Sequence, residues 1–241
     1  MIPKIIHYCW FGKKSMDELS LKCLESWNVH LPDYELWLWD EDKFDTNSSH
    51  FTKEAYEAKK YAFVTDYVRL YALKNYGGIY MDTDIEVIKN LDKFLAFPAF
   101  AGFQDSKNIQ TGLIGSEKNG KWITELLEYY QDRHFVLPNG KLDTKTNVTI
   151  ITQHMLTKGF VPNNQHQEID GMVTLFPQDF FCAKSFTTGK ITLTEQTHTI
   201  HHFASSWYSP FQKFRKQIKF LLANIGLYRI IRPLYNKITR K

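Results

Sequence analysis

The stretch Ala62-Phe63-Val64-Thr65-Asp66-Tyr67-Val68-Arg69-Leu70, continued through Tyr76-Gly77-Gly78-Ile79-Tyr80-Met81-Asp82-Thr83-Asp84, decides the fold. Phe63, Tyr67, Leu70, Tyr71 and Leu73 recur at helical spacing, and Gly77-Gly78 stops that helix before Tyr76 can run further. Ile79-Tyr80-Met81 then begins a strand that is expected to run on through Asp82-Thr83-Asp84 to Val87. Outward from this unit, Lys4 to Trp10 reads as a buried strand closed by Gly12, Ser15 to Trp27 as a helix, Tyr34 to Trp39 as a second strand and Phe51 to Lys60 as a short helix. Downstream, strands are expected at Ala99 to Phe103, Ile109 to Ile114, Met172 to Phe176 and Thr197 to Phe203, with helices at Asn119 to Asp132 and Val148 to Lys158. Strands alternating with helices make an α/β sheet with a largely parallel core.

In such a sheet, ligands bind outside the carboxyl ends of the strands, which is where Asp82 and Asp84 fall. Residues two apart on an extended chain project to one side, so the pair offers hard oxygen ligands to Mg²⁺ or Mn²⁺. The alternative is a solvated acidic turn. Asp66 and Arg69 stand three apart on one helix face, either as a surface ion pair or, because their neighbours are apolar, as a buried Arg whose planar fork needs an anion such as a diphosphate.

The pattern Asp66-x-x-Arg69 followed by Tyr76-Gly77-Gly78-Ile79-Tyr80-x-Asp82-x-Asp84 resembles the signature of glycosyltransferase family 32. That family includes capsular polysaccharide sugar transferases and yeast outer-chain mannosyltransferases; the large clostridial glucosylating toxins are more distant. Ile5-Ile6-His7-Tyr8-Cys9-Trp10-Phe11-Gly12 resembles its opening strand, and Thr199-Ile200-His201-His202-Phe203-Ala204-Ser205-Ser206-Trp207 its closing His-to-Trp segment. The resemblance implies a GT-A, Rossmann-like domain that binds a nucleotide-sugar donor through Mn²⁺ or Mg²⁺ and retains anomeric configuration. It assigns Asp82, Asp84 and His202 to the metal, with Ser205 near it. Thr65, Asp66, Arg69, Tyr80 and Trp207 are assigned to the sugar, ribose or diphosphate, and Cys9 and Trp10 to framing the base. His201 and His202 alternate on a strand, so only one can face the site, and the numbering favours His202. Asn108, Gln110 and Thr111 lead into a Gly-Leu-Ile-Gly strand similar to the donor-side loop, where Thr111 departs from the family's usual Asn.

Composition sets the frame. With 241 residues, 43% hydrophobic, 15% aromatic and 23% charged, the chain is an ordinary globular one, and disorder is excluded as its main state. The cysteines Cys9, Cys23 and Cys182 are far apart and form no CxxC pair, so a reducing compartment is expected. Neither a secretory leader nor a membrane span is expected. The net charge of +4 hides nine Lys or Arg and no acid from Pro210 onward, which leaves 21 basic against 26 acidic residues in the body. Residues 1–209 are therefore read as the GT-A domain and 210–241 as a basic amphipathic helical tail. Its stripe from Phe211 and Phe214 through Ile218, Leu221 and Ile225 suits an anionic membrane surface. A helix packed on the body is the other reading of that tail. The expected location is cytoplasmic, at the inner face of the plasma membrane. The expected partners are a nucleotide-sugar donor, preferably UDP-linked, and a glycan or lipid-linked oligosaccharide acceptor in surface polysaccharide synthesis; no nucleic acid is expected, because the body is acidic. A metal-dependent phosphotransferase or hydrolase and a non-enzymatic membrane-associated scaffold are the rival readings.

Overall fold

The computed structural model describes residues 1–204 together with 211, 217, 218 and 220. In chain order its elements are β1 (Ile5–Cys9), α1 (Glu18–His30), β2 (Glu35–Trp39), α2 (His50–Glu57), α3 (Tyr61–Tyr76), β3 (Gly78–Met81), β4 (Ile85–Val87), β5 (Ala99–Gly102), β6 (Leu113–Ser116), α4 (Lys121–Glu128), α5 (Asn147–Leu156), β7 (Gln167–Ile169), β8 (Val173–Phe176), α6 (Gln178–Phe181) and β9 (Thr199–His201). Seven strands form one sheet in the order β2-β1-β3-β6-β5-β8-β7, while β4 and β9 form a separate two-stranded ribbon. β1 runs parallel to β2 and β3, and β5 runs parallel to β8. β6 is antiparallel to β3 and β5, and β7 to β8, so five strands share one direction and two oppose it. The α/β class is as expected; the opposed β6 and β7 make the sheet more mixed than its sequence pattern suggests.

The central helix explains itself from composition. α3 has no side-chain cap, yet Phe63, Val64, Val68, Leu70, Ala72 and Leu73 are all buried. Each large apolar side chain so buried contributes roughly 1.5–3 kcal/mol, so packing holds the helix rather than its ends. Gly77 and Gly78 then reverse the chain into β3 with φ of 69° and 113°, which only glycine adopts without strain. α1 begins at Glu18 rather than Ser15, because Asp17 caps it by accepting from the Ser20 N–H at 2.9 Å. One apolar layer, around Val64, Leu73, Trp122 and Ile151, lies under α3, α4 and α5. The other, around Ile6, Trp27, Ile79 and Phe94, lies under α1 and the β4–β9 ribbon.

Two departures from expectation bear on the site. The strand through Asp82 breaks: the Ile85 N–H returns to the Asp82 carbonyl at 3.0 Å, so residues 82–84 form a turn between β3 and β4. The strand expected at Ile109 to Ile114 is displaced to β6, Leu113–Ser116. The proposed boundary at 209/210, Ser205, Trp207 and nearly all of the tail lie outside the described residues. Of the tail, Phe211, Gln217, Ile218 and Phe220 are helical, and Phe220 lies so close to Gly189 that an added Cβ would stand 2.9 Å from its ring. No described helix is long and apolar enough to cross a membrane.

Candidate metal and donor site

Asp82 and Asp84 sit on the turn where β3 hands over to β4, and α1 fixes that handover. The Trp27 indole donates to the Ile85 carbonyl at 2.7 Å, and the Val87 N–H donates to Ser26 Oγ at 2.9 Å. β9 pairs with β4, setting His201 opposite Ile85. The result is a cluster in which Asp82, Asp84 and His201 each offer a ligand atom within 4.8 Å of the others.

Each carboxylate is tied by one oxygen and open at the other. Asp82 Oδ1 accepts from the Tyr80 hydroxyl at 2.7 Å and lies 3.4 Å from Arg69 Nη2, while its Oδ2 is turned toward His201 Nε2 at 4.0 Å. Asp84 Oδ2 accepts from the Ala204 N–H at 2.7 Å, and its Oδ1 faces His201 Nε2 at 3.4 Å. Burial alone would push Asp84 up; His201 and the Ala204 N–H outweigh it and hold the carboxyl below its usual range. The same attraction raises His201 despite its burial, with the Cys182 thiol adding to it. Gly112 closes the back of the cluster: a Cβ there would stand 2.7 Å from His201 Cε1 and 3.0 Å from Asp82 Oδ2. Two carboxylates and one imidazole converging on a shared point, with their far oxygens anchored, suit a divalent cation of the Mg²⁺ or Mn²⁺ kind.

Several expected residues stand elsewhere. His202 does not join the acidic pair; its Nε2 pairs with Glu86 Oε2 at 2.7 Å. The reason is the turn: side-chain alternation begins at Ile85, so His202 shares the face of Glu86, and Asp84 lies before the alternation starts. Arg69 has its anions within the chain. Nη2 lies 3.1 Å from Asp66 and 3.4 Å from Asp82, Nη1 donates to the Thr111 carbonyl at 2.6 Å, and the guanidinium lies 4.5 Å from the centre of the Tyr80 ring. It therefore braces Asp82 instead of presenting an open fork to a diphosphate. Tyr80 is likewise occupied through its hydroxyl and is only 1% exposed. Thr65 donates its hydroxyl back to the Tyr61 carbonyl at 2.9 Å. Cys9 is core, its thiol pushed up by burial, so it frames nothing at the surface. Trp10 stays partly exposed at the end of β1, with its indole N–H donating to the Lys14 carbonyl at 2.6 Å.

Other residues gain a place the sequence did not give them. Asn147, the first residue of α5, donates its side-chain amide to the Asp66 carbonyl at 3.1 Å and its N–H to the Asp66 carboxylate at 3.3 Å. Burial, partly offset by Arg69, pushes Asp66 up to about 6. Lys184 is half-buried and close enough to feel Asp84; burial lowers its pKa while Asp84 opposes that. Among the described residues its ammonium has no hydrogen bond or ion pair. Gln110 is fully buried, and among the described residues neither its two amide atoms nor His201 Nδ1 has a hydrogen-bond partner. No motif marks Lys184 or Asn147; only the fold brings them here.

Residues 17–101, which contain Asp66, Arg69 and the acidic pair, match the family described as a glycosyltransferase sugar-binding region containing a DXD motif. The match covers about a third of the chain, the part that holds α3 and the acidic pair, and the mixed α/β sheet is of the class expected for such a region. The chain is 29% identical over 147 residues to the mannosyl phosphorylinositol ceramide synthase SUR1 of Saccharomyces cerevisiae, covering 57% of this chain and 37% of the yeast protein. It is 34% identical over 129 residues to the uncharacterized glycosyltransferase L373 of Acanthamoeba polyphaga mimivirus, covering 49% and 51% of the two chains. The matches thus span about half or less of these curated relatives. Among solved structures, the PaToxG glycosyltransferase is similar at a TM-score of 0.47 and 22% identity, over 65% of this chain and 68% of that one.

Proposed function

We propose that this chain transfers a sugar from a nucleoside diphosphate donor to a hydroxyl of a glycan or lipid-linked acceptor, at a divalent cation held by Asp82, Asp84 and His201. The observation that carries the reading is the anchoring of the two carboxylates, each fixed by one oxygen and presenting the other beside an imidazole. When bound, the cation supplies charge stabilisation for the leaving diphosphate. The protein's own residues do the rest. Arg69 and the Tyr80 hydroxyl lock the Asp82 carboxylate in place, so its open oxygen needs no reorganisation. To hold the cation His201 would have to be neutral, so the proton it shares with Asp84 would leave to solvent and binding would favour higher pH. Lys184 brings a second positive charge to the diphosphate side, and Trp10 offers a partly exposed ring to the base. Asp66, fixed by Arg69 and Asn147, accepts from sugar hydroxyls. The acceptor proton passes to a leaving phosphate oxygen on the same face, with retention of configuration.

UDP remains our first choice of nucleotide and Mn²⁺ of metal. The names of the yeast relatives support a mannosyl donor and an inositol phosphoceramide acceptor as the second choice. The tail is proposed to pack partly on the body, which the position of Phe220 against Gly189 supports, and to offer its basic residues to anionic membrane at the cytoplasmic face.

The test is a panel of UDP- and GDP-linked sugars with Mn²⁺ or Mg²⁺, read by nucleoside diphosphate release and by melting temperature. Donor-dependent stabilisation that requires metal and is lost in Asp84→Asn supports the reading. Release of phosphate from simple phosphoesters, with no response to any nucleotide sugar, would transfer the site to hydrolysis.

A further inference from the structure

A second cluster of ligating side chains stands away from the acidic pair. His50 opens α2, and Glu54 lies one turn later on the same face. The segment after α4 brings His134 against them. The three residues offer ligand atoms within 4.8 Å of one another. His134 Nδ1 and Glu54 Oε1 are 2.6 Å apart, and the rings of His50 and His134 stack at 4.6 Å with 20° between their planes. The other oxygen of Glu54 is held by the Val136 N–H at 2.8 Å, so the carboxylate is oriented from behind as a metal-binding carboxylate commonly is. Both imidazoles reach solvent, and His50 and Lys53 border a cavity of about 530 Å³ shared with Tyr67, Tyr130 and Arg133.

We propose that His50, Glu54 and His134 form a binding site for a first-row transition-metal ion, Zn²⁺ by its ligand chemistry, that joins α2 to the segment after α4. Two imidazole nitrogens and one carboxylate oxygen are the borderline set that favours Zn²⁺ over Mg²⁺ or Ca²⁺, and water completes a tetrahedron. The ion replaces the proton shared by His134 Nδ1 and Glu54 Oε1; that proton leaves to solvent, the two atoms part to roughly 3.3 Å, the edge of a tetrahedron with ~2.0 Å bonds, and the exposed His50 ring turns out of its stack so that its in-plane lone pair meets the same ion. The linkage matters to the fold because the next residue, Phe135, is buried against Phe51 of α2 and Phe63 of α3. The site is independent of the donor site and of the activity proposed there.

Full-length protein stripped with chelator is titrated with Co²⁺, read by ligand-field absorption, and with Zn²⁺, read by melting temperature. Asp84→Asn, which disables the donor-site cluster, is expected to take up one equivalent of Co²⁺ with tetrahedral bands and to melt higher with Zn²⁺; wild type is expected to show the same tetrahedral bands beside any Co²⁺ held at the donor site. His50→Ala and Glu54→Gln are expected to lose at least about tenfold in affinity and the Zn²⁺ shift, with unchanged far-ultraviolet circular dichroism. His50 is exposed, so its truncation leaves the core intact. Wild-type affinity in His50→Ala, or absence of tetrahedral bands in saturated wild type, would overturn the proposal.

Discussion

His7 and His201 are both buried imidazoles on strands, and each lies in a segment that resembles the family's pattern, yet the molecule treats them oppositely. His7 is spanned at both nitrogens by neutral partners. Nδ1 accepts from the Trp39 indole at 3.1 Å, so Nε2 carries the hydrogen and donates to the Gly77 carbonyl at 2.7 Å. Burial pushes it down to about 4, against the pull of that carbonyl. His201 has two carboxylates at one nitrogen and, among the described residues, no hydrogen-bond partner at the other. A satisfied buried imidazole stabilises the fold; one facing a surplus of negative charge is available to exchange its proton for a cation. Burial alone therefore says nothing about role, and the partners at each ring nitrogen decide it.

The comparison breaks most readily at His201. His201→Ala is expected to lower kcat/KM for sugar transfer on the order of 10²- to 10³-fold, the scale of losing one preorganised electrostatic group. His202→Ala, whose side chain serves Glu86, is expected to stay within about threefold. Steady-state assays across a Mn²⁺ series decide, and a larger loss in His202→Ala would reverse the assignment.

The His7 side is sharpened by pH. Its folded pKa of about 4 lies below the unfolded 6.5, so the unfolded chain binds the proton first as pH falls. Stability should therefore drop between pH 6.5 and 4, by about 2 kcal/mol from this residue between pH 7 and 4.5. Asp66 acts with the opposite sign. Its folded pKa of about 6 exceeds the unfolded 3.8, so its penalty is relieved as pH falls through the same window. Urea denaturation of His7→Gln, which keeps a donor and an acceptor but does not titrate, should show a flatter acid limb than wild type. Asp66→Asn should show a steeper one. Parallel curves for all three would remove both assignments.

Two smaller effects probe the packing around His201. Gly112→Ala places a Cβ against His201 and Asp82, and is expected to weaken Mn²⁺ binding about tenfold, or ~1.4 kcal/mol. Isothermal titration would read it; unchanged affinity means the cluster can yield. Gln110→Met removes two unpartnered amide atoms from a buried position and should change stability by less than about 1 kcal/mol, in the stabilising direction. A cost above about 2 kcal/mol, by urea denaturation, would mean that water or a ligand satisfies the amide.

The parts legible in the sequence were those with dense local signals. α3 and its Gly77-Gly78 stop declare themselves because sixteen helical residues are largely apolar and end on two glycines. The acidic pair was placed correctly at a strand end, but the turn at residues 82–84 was not foreseen, since Ile79-Tyr80-Met81 and Ile85-Glu86-Val87 read as one run. The resemblance gives the third position to His202, and local sequence offers nothing to choose between His201 and His202, because parity along β9 has meaning only relative to where β4 begins. Arg69 was read as needing an anion, rightly; that Asp66 and Asp82 supply it depends on how α3 crosses β3. Asn147 and Lys184 were illegible, being 81 and 100 residues from the carboxylates they face.

The two-stranded ribbon gives the molecule a birth order. β4 and β9 join segments 116 residues apart, a loop whose closure costs on the order of 4 kcal/mol in entropy. During synthesis Asp82 and Asp84 leave the ribosome first, together with Arg69, while His201 has yet to be polymerised. The nascent protein therefore passes through a stage with its first sheet strands made and its acidic pair lacking the imidazole. The cluster of Asp82, Asp84 and His201 closes as a late event, after β5 to β8 have been laid down between the two halves of the ribbon.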